Sequence, residues 1–510
     1  MRPLALLLAA VSLPVFAALG CGQNETASSA TALAPAGSLM YGEIDLDPSG
    51  DQKRAIEQLA AKFPGEGSAG ERLQTLIEKG LRESDAPISF ERDIEPWLGD
   101  TAAFFVTGSL RDDGPQSGAA LIATDDEEAA RDALAKAIEG KQLKQRYEGV
   151  EYLVGDDDTA AGVVDGFAVI GTEGGLKAAI DTTQGGSPLS DDDAYTDAVA
   201  GAADDRLGLL YLNSPKLLEA MQGSDGAEAL RSFEDFFEDP YVATLDVDGD
   251  SVSFEADAPQ SLAKLLPFFG EGSELMNELP ADSWLALAQP DLGKVLDYYA
   301  EAFGASVGGR EALESQLRTM TGLDLERDVL GWMGDFAVFV RGTSVSELNG
   351  AIVIETRDPD VSGRLLARLE VLIERSEQSS GTRVGPLSVP GGGEGFTLRD
   401  DEFAAPIHIF QRDDRVVAAF GDAAARDALD PAETLADSAE YADAARSLDG
   451  YAISTYVAVA PILELVDSTE AGADPGWREA RQYLEPLKAL VAGTAGDDDE
   501  LRSAVKILVK

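Results

Sequence analysis

Apolar residues follow two different periods along the chain. In some segments they alternate with polar residues or form short runs, as strands do, and in others they recur every three or four positions, as amphipathic helices do. In the first half, the first kind of segment predicts strands at 40–45, 102–106, 119–122, 151–154, 161–164, 167–170, 207–212, 243–247 and 252–256. The second kind predicts helices at 52–63, 72–81, 126–138, 176–181, 194–200 and 215–221.

Short turns connect several of these strands. Asp165-Gly166 lies between two predicted strands, and Asp248-Gly249 lies between two others. Aspartate followed by glycine favours the left-handed backbone that a two-residue hairpin turn requires. Strands joined by hairpins form antiparallel sheets, so we predict an α+β fold whose sheet packs against helices on one face. A sheet with this many strands is expected to curl.

The pattern occurs twice in the chain. Residues 90–109 and 325–344 align without a gap at an offset of 235 and are identical at nine of twenty positions. Further matches follow in the same order through both halves. We therefore predict a tandem duplication of one α+β domain. The predicted boundaries are 33–260 for the first repeat, 261–277 for the connector and 278–510 for the second repeat.

The beginning of the chain has the pattern of an export signal. Arg2 precedes an apolar run that ends at Leu19, and small residues then precede Cys21, the only cysteine. This arrangement resembles the lipobox of bacterial lipoproteins. We expect 1–20 to be a lipoprotein signal peptide, Cys21 to carry the lipid, and 21–32 to be a flexible tether. The predicted location is the extracytoplasmic face of the cell membrane, where the lipid anchors the protein.

Charge restricts the partners that the chain can bind. Its 93 acidic and 40 basic residues give a formal net charge of −53 at pH 7. Nucleic acids and anionic lipid head groups repel such a polyanion, so nucleic-acid binding is not expected. The acidic surface keeps the protein solvated, or it attracts cations or a cationic partner protein. Apolar residues still make up 44% of the chain, which is enough for a folded core.

One segment of the repeat resembles a known bacterial family. Pro96-Trp97-Leu98-Gly99-Asp100, together with Pro35-Ala-Gly-Ser and the strand at 41–45, is similar to the domain-of-unknown-function family 3352. The second copy keeps this segment as Gly-Trp-Met-Gly-Asp at 331–335. The resemblance covers nearly all of the mature chain. It implies an exported or envelope protein of actinobacteria and their relatives, and it brings no established activity, cofactor or catalytic residue.

The best-retained segment also supplies the candidate motif residues. They are Trp97, Gly99, Asp100, Trp332, Gly334 and Asp335. A tryptophan kept in both copies either lines a site or anchors a core, and we favour the core. We predict that the Gly-Asp pair makes the turn into the next strand and that both aspartates bond backbone groups in that turn.

Few residues have the pattern of a catalytic or metal site. His408 is the only histidine, and the alternation around it predicts a strand on which it faces solvent or a polar neighbour. Gly304-Ala-Ser-Val-Gly308 fits the nucleophile-elbow pattern but follows a helical segment, so we interpret it as a helix terminus. The acids at 246–250 are flanked by strand patterns and indicate a hairpin instead of a calcium loop. We therefore predict no catalytic residue, cofactor or metal.

Three functions stay open at this point. The favoured one is a non-catalytic binding or structural lipoprotein of the cell envelope. The second is a carrier of a lipid or another apolar ligand in a cavity between sheet and helices, with the apolar connector at 262–269 over its mouth. The third is a hydrolase that works without histidine. The expected partners are the membrane, through the lipid at Cys21, and either an apolar ligand or a cationic protein.

Overall fold

The computed structural model describes most of the chain after the predicted tether. The described residues are 29–83, 88–108, 116–138, 142–155, 159–202, 206–221, 237–258, 272–304, 309–380, 382–389, 391–400, 403–496 and 501–510. The predicted signal peptide at 1–20, Cys21 and most of the tether lie outside these residues. The same holds for 261–271 of the predicted connector, for the last two residues of the predicted first repeat and for 305–308 of the Gly304 motif.

The chain divides into two compact units, and the described residues before 262 belong to the first. The strands described in the first unit are β1 Met40–Asp45, β2 Leu98–Gly108, β3 Gln116–Thr124, β4 Leu143–Tyr147, β5 Val150–Val154, β6 Thr159–Val164, β7 Phe167–Thr172, β8 Gly208–Leu212, β9 Tyr241–Asp248 and β10 Ser251–Ala258. They pair antiparallel in the order β4-β5-β6-β7-β3-β2-β1-β8-β9-β10.

The second unit has a sheet of the same kind. Its described strands are β11 Leu285–Gln289, β12 Met333–Arg341, β13 Asn349–Thr356, β14 Arg383–Pro386, β15 Glu394–Arg399, β16 Ile407–Arg412, β17 Arg415–Phe420, β18 Ala452–Ala458, β19 Leu487–Gly496 and β20 Leu501–Val509. They pair antiparallel in the order β14-β15-β16-β17-β13-β12-β11-β18-β19-β20. Each pairing named for the first unit therefore has a counterpart ten strand numbers later.

Helices occur between the strands of both units. Those described in the first unit are α1 Ala30–Leu33, α2 Gly50–Ala60, α3 Ala69–Glu83, α4 Glu127–Ala137, α5 Glu173–Thr183, α6 Asp193–Val199 and α7 Ser214–Ala220. Those described in the second are α8 Leu275–Glu278, α9 Leu292–Gly304, α10 Arg310–Thr321, α11 Pro359–Ser380, α12 Asp422–Asp427, α13 Ala439–Arg446, α14 Val459–Asp467 and α15 Pro475–Leu484. The predicted α+β class and antiparallel sheet are confirmed.

The helices pack on both faces of each sheet, so the prediction of one covered face is wrong. Successive side chains of a strand point to opposite faces. In β3, Leu121 packs with α1 and α5, whereas Ile122 packs with α4. In the second unit, Val353 packs with α8 and α12, and Ile354 on the opposite face packs with α11. The central strands are apolar at both sets of alternate positions, so both faces require cover.

The local turns follow the sequence closely. Asp165 and Gly166 both have positive φ, 46° and 81°, and join β6 to β7 as predicted. The turn after β9 lies at 249–250, one residue later than predicted, because Asp248 pairs with Ser251. The strand β4 was not predicted, since its sequence Leu-Lys-Gln-Arg-Tyr has no alternation and it forms the exposed edge of the sheet.

Candidate binding site

The first motif tryptophan is a core anchor. Trp97 is buried in the short 3₁₀ turn that precedes β2, where its ring packs among Ile122 of β3 and Leu134 of α4. Its indole Nε1 donates a hydrogen bond to the backbone oxygen of Asp93 at 2.6 Å. The side chain therefore fastens the turn before β2 to the helix on this face of the sheet.

The second motif tryptophan has the same place in its own unit. Trp332 is buried against Leu366 of α11 and Val416 of β17. Unlike Trp97, its Nε1 has no hydrogen-bond partner among the described residues. Both rings are packed inside a helix–sheet interface, so neither is placed to contact a ligand.

The glycines of the motif lie in β-bulges near the starts of β2 and β12. A Cβ atom on Gly99 would lie 2.8 Å from the backbone carbonyl carbon of Ala123, and one on Gly334 would lie 3.1 Å from the backbone oxygen of Glu355. The neighbouring strand is thus close enough to require glycine or a shift of the backbone. The Gly-Asp pair bends the strand as it enters the sheet, instead of forming a turn ahead of it.

The two motif aspartates make different bonds. Asp335 Oδ1 accepts a hydrogen bond from the backbone N–H of Asp291, 3.1 Å away at the start of α9, so it does bond a backbone group but outside its own turn. Asp100 is exposed and accepts a hydrogen bond from the Thr101 hydroxyl at 3.1 Å. The aspartate that occurs in both motifs therefore has different hydrogen-bond partners in the two units and does not define a common site.

The two bulges differ in length by one residue. In the first unit, Leu98 pairs with Thr124 and Ala102 pairs with Ile122, so β2 advances by four residues while β3 advances by two. In the second unit, β12 advances by three residues from Met333 to Phe336 while β13 advances by two. Beyond the bulge the ungapped alignment is therefore one residue out of register. The list of equivalent pairs becomes Phe105 with Phe339, Val106 with Val340, and Thr107 with Arg341.

An arginine–aspartate pair precedes each motif and stabilises a helical turn. Asp93 is buried and accepts hydrogen bonds from Arg92 at 2.7 Å, Lys136 at 2.8 Å and the backbone N–H of Ser89 at 2.9 Å. The hydrogen bond from Arg92 holds the pKa of Asp93 well below its usual range. Burial acts in the opposite direction and raises the pKa, whereas the hydrogen bond from Lys136 lowers it further. This carboxylate bonds three different groups of its own unit and thereby fixes the turn.

The second unit repeats the arrangement. Asp328 accepts hydrogen bonds from Arg327 at 2.7 Å and from the backbone N–H of Asp324 at 2.9 Å. The Arg327 bond, followed by the bond from Asp324, lowers the pKa of Asp328 to about 2. A strongly perturbed carboxylate can indicate a functional site. Here its hydrogen bonds account for the shift.

His408 lies in β16 between two polar side chains. Its Nδ1 is 3.0 Å from Thr397 Oγ1, and its Nε2 is 2.9 Å from Asp422 Oδ1. The order hydroxyl, imidazole, carboxylate matches that of a catalytic triad. However, Thr397 is 1% exposed and His408 is 0% exposed, so a substrate cannot reach the hydroxyl. The predicted polar neighbour is present, and the alternative that His408 faces solvent is wrong.

A cleft in the second unit is the strongest candidate for a binding site. It has a volume of about 620 Å³, within the range of small-ligand pockets. It lies where the start of β11 and the end of β12 meet α12, the start of α13 and the end of β18. Its lining includes the polar, charged and aromatic side chains of Asp282, Ser283, Trp284, Arg341, Glu347, Asn349, Asp427, Glu440 and Tyr456.

Arg341 holds one wall of the cleft together. Its Nε donates to Asn349 Oδ1 at 2.8 Å, Nη1 to Asp282 Oδ1 at 3.1 Å and Nη2 to Asp427 Oδ2 at 2.6 Å. Burial alone would lower the pKa of Arg341, but the bonds with Asp427 and Asp282 outweigh it and raise the pKa. The guanidinium is therefore a permanent cation that joins β12 to α12 and to the turn before β11.

Ser283 places an unpaired hydroxyl in the lining of the cleft. The residue is 3% exposed, and its Oγ has no hydrogen-bond partner among the described residues. The matching residue of the first unit, Ser38, sits in an equivalent turn, but its Oγ donates to the backbone oxygen of Pro35 at 2.7 Å. The same residue type in the same turn is thus satisfied in one unit and unsatisfied in the other.

The sequence did not reveal this cleft because its charged residues occur in the second unit alone. Arg341 corresponds to Thr107, and Asp282, one residue before Ser283, corresponds to Gly37, one residue before Ser38. The ungapped alignment pairs Arg341 with Val106 instead and conceals the exchange. An alignment of the two halves that allows for the bulge and marks the positions where they differ would reveal this pair of charges.

Among the described residues, no group of three or more His, Cys, Asp or Glu side chains is arranged to hold a metal ion. No helix in the same part of the chain is long and apolar enough to cross a membrane.

The comparisons with known proteins identify the family. A family model described as a protein of unknown function, DUF3352, matches residues 4–389. The chain belongs to the DUF3352 family. This match begins in the predicted signal peptide and ends in the second unit, before β15, so it includes Trp97 and Trp332 of the motif.

The DUF3352 chain has weak likenesses to solved structures. Crystal form I of TP0453 gives a TM-score of 0.23 at 5% identity over 46% of this chain and 79% of that one. Crystal form IV of TP0453 gives 0.24 at 7% identity over 47% of this chain and 84% of that one. Likenesses at these TM-scores carry no argument about this protein. The comparison with curated proteins gave no match.

Proposed function

We propose that this DUF3352 protein is a non-catalytic binding lipoprotein, anchored through Cys21 on the extracytoplasmic face of the membrane. Its ligand occupies the cleft around Arg341 in the second unit. The observation that carries the binding role is this cleft of about 620 Å³, whose wall is fixed by three hydrogen bonds of one buried guanidinium. A preorganised polar wall around a space of this size suits a small ligand.

The packing of the remaining candidate residues supports a binding role over a catalytic one. Trp97 and Trp332 anchor cores, and the hydroxyl and imidazole of Thr397 and His408 are closed to substrate. The lining of the cleft is rich in carboxylates, which suits a polar ligand better than the apolar one of the carrier hypothesis.

We also propose that the two units arose by tandem duplication of one α+β domain. The matching order of strand pairings supports this origin, as do the bulge with its Gly-Asp pair and the Arg-Asp turn before the tryptophan. On this view the charged wall of the cleft arose in one copy after the duplication, since the first copy has Thr107 in the place of Arg341. The curling of the sheets stays a prediction.

The anchor is tested by replacing the lipidated thiol. The full-length protein and its Cys21→Ser variant would be expressed in a bacterium that processes lipoproteins, labelled with radioactive palmitate and separated by Triton X-114 phase partition. We expect the unaltered protein to carry label and enter the detergent phase, and Cys21→Ser to lose the label. Equal labelling of both proteins would refute the anchor at this residue.

The binding role is tested by filling the cleft. Thr343 lines the rim, whereas Val345, two residues later in the same loop, is exposed outside it. Full-length protein would be purified in non-ionic detergent, and its extract analysed by mass spectrometry. We expect a small molecule at close to one per protein in the unaltered protein and in Val345→Trp, and its loss in Thr343→Trp. Extracts that do not differ between the two variants would contradict binding in this cleft.

A further inference from the structure

The charges that line the cleft are unbalanced in a way that selects the sign of a ligand. Among the described residues of the lining, the carboxylates are Asp282, Asp427, Glu347 and Glu440, and the only cation is Arg341. Four negative groups against one positive group leave a net charge of −3. A neutral or anionic ligand would leave this excess charge unopposed, whereas a cation would balance it.

Arg341 does not provide an anion site in this cleft. Three hydrogen bonds of 2.6–3.1 Å direct its Nε, Nη1 and Nη2 at oxygen atoms of the wall itself. The effect is to hold the carboxylates of Asp282 and Asp427 in place, and the Asp282 side chain is still 69% exposed. The guanidinium thus positions acidic groups and leaves their outer surfaces to a ligand.

Glu347 and Glu440 add carboxylates that are not held by a cation of the described residues. Both side chains are exposed, and neither forms a salt bridge there. They lie on different elements, since Glu347 precedes β13 and Glu440 belongs to α13. Acidic groups therefore reach the cleft from more than one direction, which suits a ligand with more than one positive charge.

The hydroxyl of Ser283 is a second and independent indication of a ligand. Its Oγ is buried in the lining without a partner, although Ser38 shows that the same turn allows an internal hydrogen bond. A buried polar group without a partner is unfavourable, and native proteins rarely retain one. Ser283 belongs to the lining of the cleft, so a change of its side-chain rotamer on binding would turn the covered hydroxyl towards a ligand N–H, and the new hydrogen bond would remove this cost.

The rest of the lining fits the other parts of such a molecule. The aromatic rings of Trp284 and Tyr456 favour a nearby cation through their negative ring faces. Ala423, Ala458 and Pro461 supply apolar surface for methylene groups. We infer that the cleft binds a small organic polycation in which primary ammonium groups are joined by an aliphatic chain. This inference rests on the proposed binding function and names the chemical class of its ligand.

The test uses spermidine as the probe and isothermal titration calorimetry of the full-length protein in non-ionic detergent at about 0.15 M salt, where long-range attraction is screened. The cleft variant is Glu347→Gln with Glu440→Gln. The control is Glu374→Gln with Glu394→Gln, which removes the same charge from exposed positions of the same unit outside the cleft lining. We expect one spermidine per chain, at least tenfold weaker binding in the cleft variant, and less than a twofold change in the control.

Ser283→Ala provides a second variant that is not expected to impair folding, because the free protein has no hydrogen bond to lose at this position. We expect spermidine to bind at least threefold more weakly than to the unaltered chain, with a thermal midpoint that is unchanged or higher. Ser38→Ala, which does lose a hydrogen bond, should lower the midpoint and leave binding unchanged. A Ser283→Ala protein that binds spermidine as well as the unaltered chain would contradict the role of this hydroxyl.

Three results would overturn the inference. Equal weakening by the two glutamine pairs would mean that spermidine only joins the diffuse ion atmosphere of an acidic protein. Magnesium ions that compete for the cleft as strongly as spermidine would indicate a divalent-cation site instead. Absence of spermidine binding, together with a co-purified compound that Thr343→Trp eliminates, would refute the ligand class and leave the proposed binding function standing.

Discussion

At the scale of single residues, equal side chains in the two units do not make equal contacts. Trp97 and Trp332 are both buried, but only the indole of Trp97 has a hydrogen-bond partner among the described residues. Ser38 and Ser283 differ in the same manner. The same residue type at matching positions therefore predicts that the side chain is buried in both units. It does not predict the hydrogen-bond partner, because a hydrogen bond depends on the neighbouring backbone and on the side-chain rotamer.

The tryptophans provide a matched pair for measuring that hydrogen bond. Trp97→Phe removes ring volume and the bond to the backbone of Asp93, whereas Trp332→Phe removes ring volume alone. We expect Trp97→Phe to lower the free energy of unfolding by about 1 kcal/mol more than Trp332→Phe does. Urea unfolding of both variants would measure the difference. A Trp332→Phe variant that is the less stable of the two would contradict this assignment.

The buried carboxylate of Asp93 predicts a pH dependence of stability. Its pKa in the folded protein lies below the unfolded value of about 3.9, so it stabilises the fold above that pH and loses its effect as the pH falls through the folded pKa. We expect Asp93→Asn to reduce the free energy of unfolding more at about pH 6 than at about pH 3. Urea unfolding at both pH values measures this. Asp100→Asn, at an exposed position, is the control and should show a small cost at both.

At the scale of elements, the motif Trp-x-Gly-Asp forms one local structure. The tryptophan closes a helical turn onto the sheet, and the glycine permits a bulge where the strand begins. The sequence predicted the strand and the anchoring role of the ring. It did not predict the bulge, whose length is set by pairing with β3 or β13 and differs by one residue between the units.

The close approach of strands at the bulge predicts a large effect of a single methyl group. Gly99→Ala would place its Cβ within 2.8 Å of the Ala123 backbone, so the strands must shift. We expect a loss of about 1–3 kcal/mol in the free energy of unfolding. Gly385→Ala, in edge strand β14 with its nearest neighbour at 3.9 Å, is the control and should cost much less. Equal losses in the thermal or urea midpoint would show that the bulge tolerates a side chain.

At the scale of the whole molecule, the dominant property is the net charge of −53. Like charges on a compact body repel each other and favour the expanded unfolded chain. The cleft around Arg341 gathers part of this charge at one place, whereas ion pairs such as Arg92 with Asp93 neutralise it elsewhere.

Charge repulsion predicts that salt stabilises the fold. Raising NaCl from about 10 mM to about 150 mM shortens the screening length from about 30 Å to about 8 Å. We expect the thermal midpoint of the full-length protein to rise over this range, and to rise less near pH 4, where many carboxylates are protonated. Scanning calorimetry at both pH values tests this. A midpoint that falls with salt at pH 7 would mean that attractive ion pairs outweigh the repulsion.

The amino-acid sequence was sufficient to predict the α+β class, most strands and helices, the hairpin at Asp165-Gly166 and the core role of both tryptophans. These features depend on local periodicity and on side-chain size, which the sequence states directly. Three features depend on long-range pairing and were found in the folded structure alone. They are the faces of the sheets that helices cover, the position of the exposed edge strand β4, and the way in which Arg341, Asp282 and Ser283 come together. Strand pairing brings those residues close although 58 positions separate Ser283 from Arg341, and a one-residue difference in a bulge determines which side chain faces the cleft.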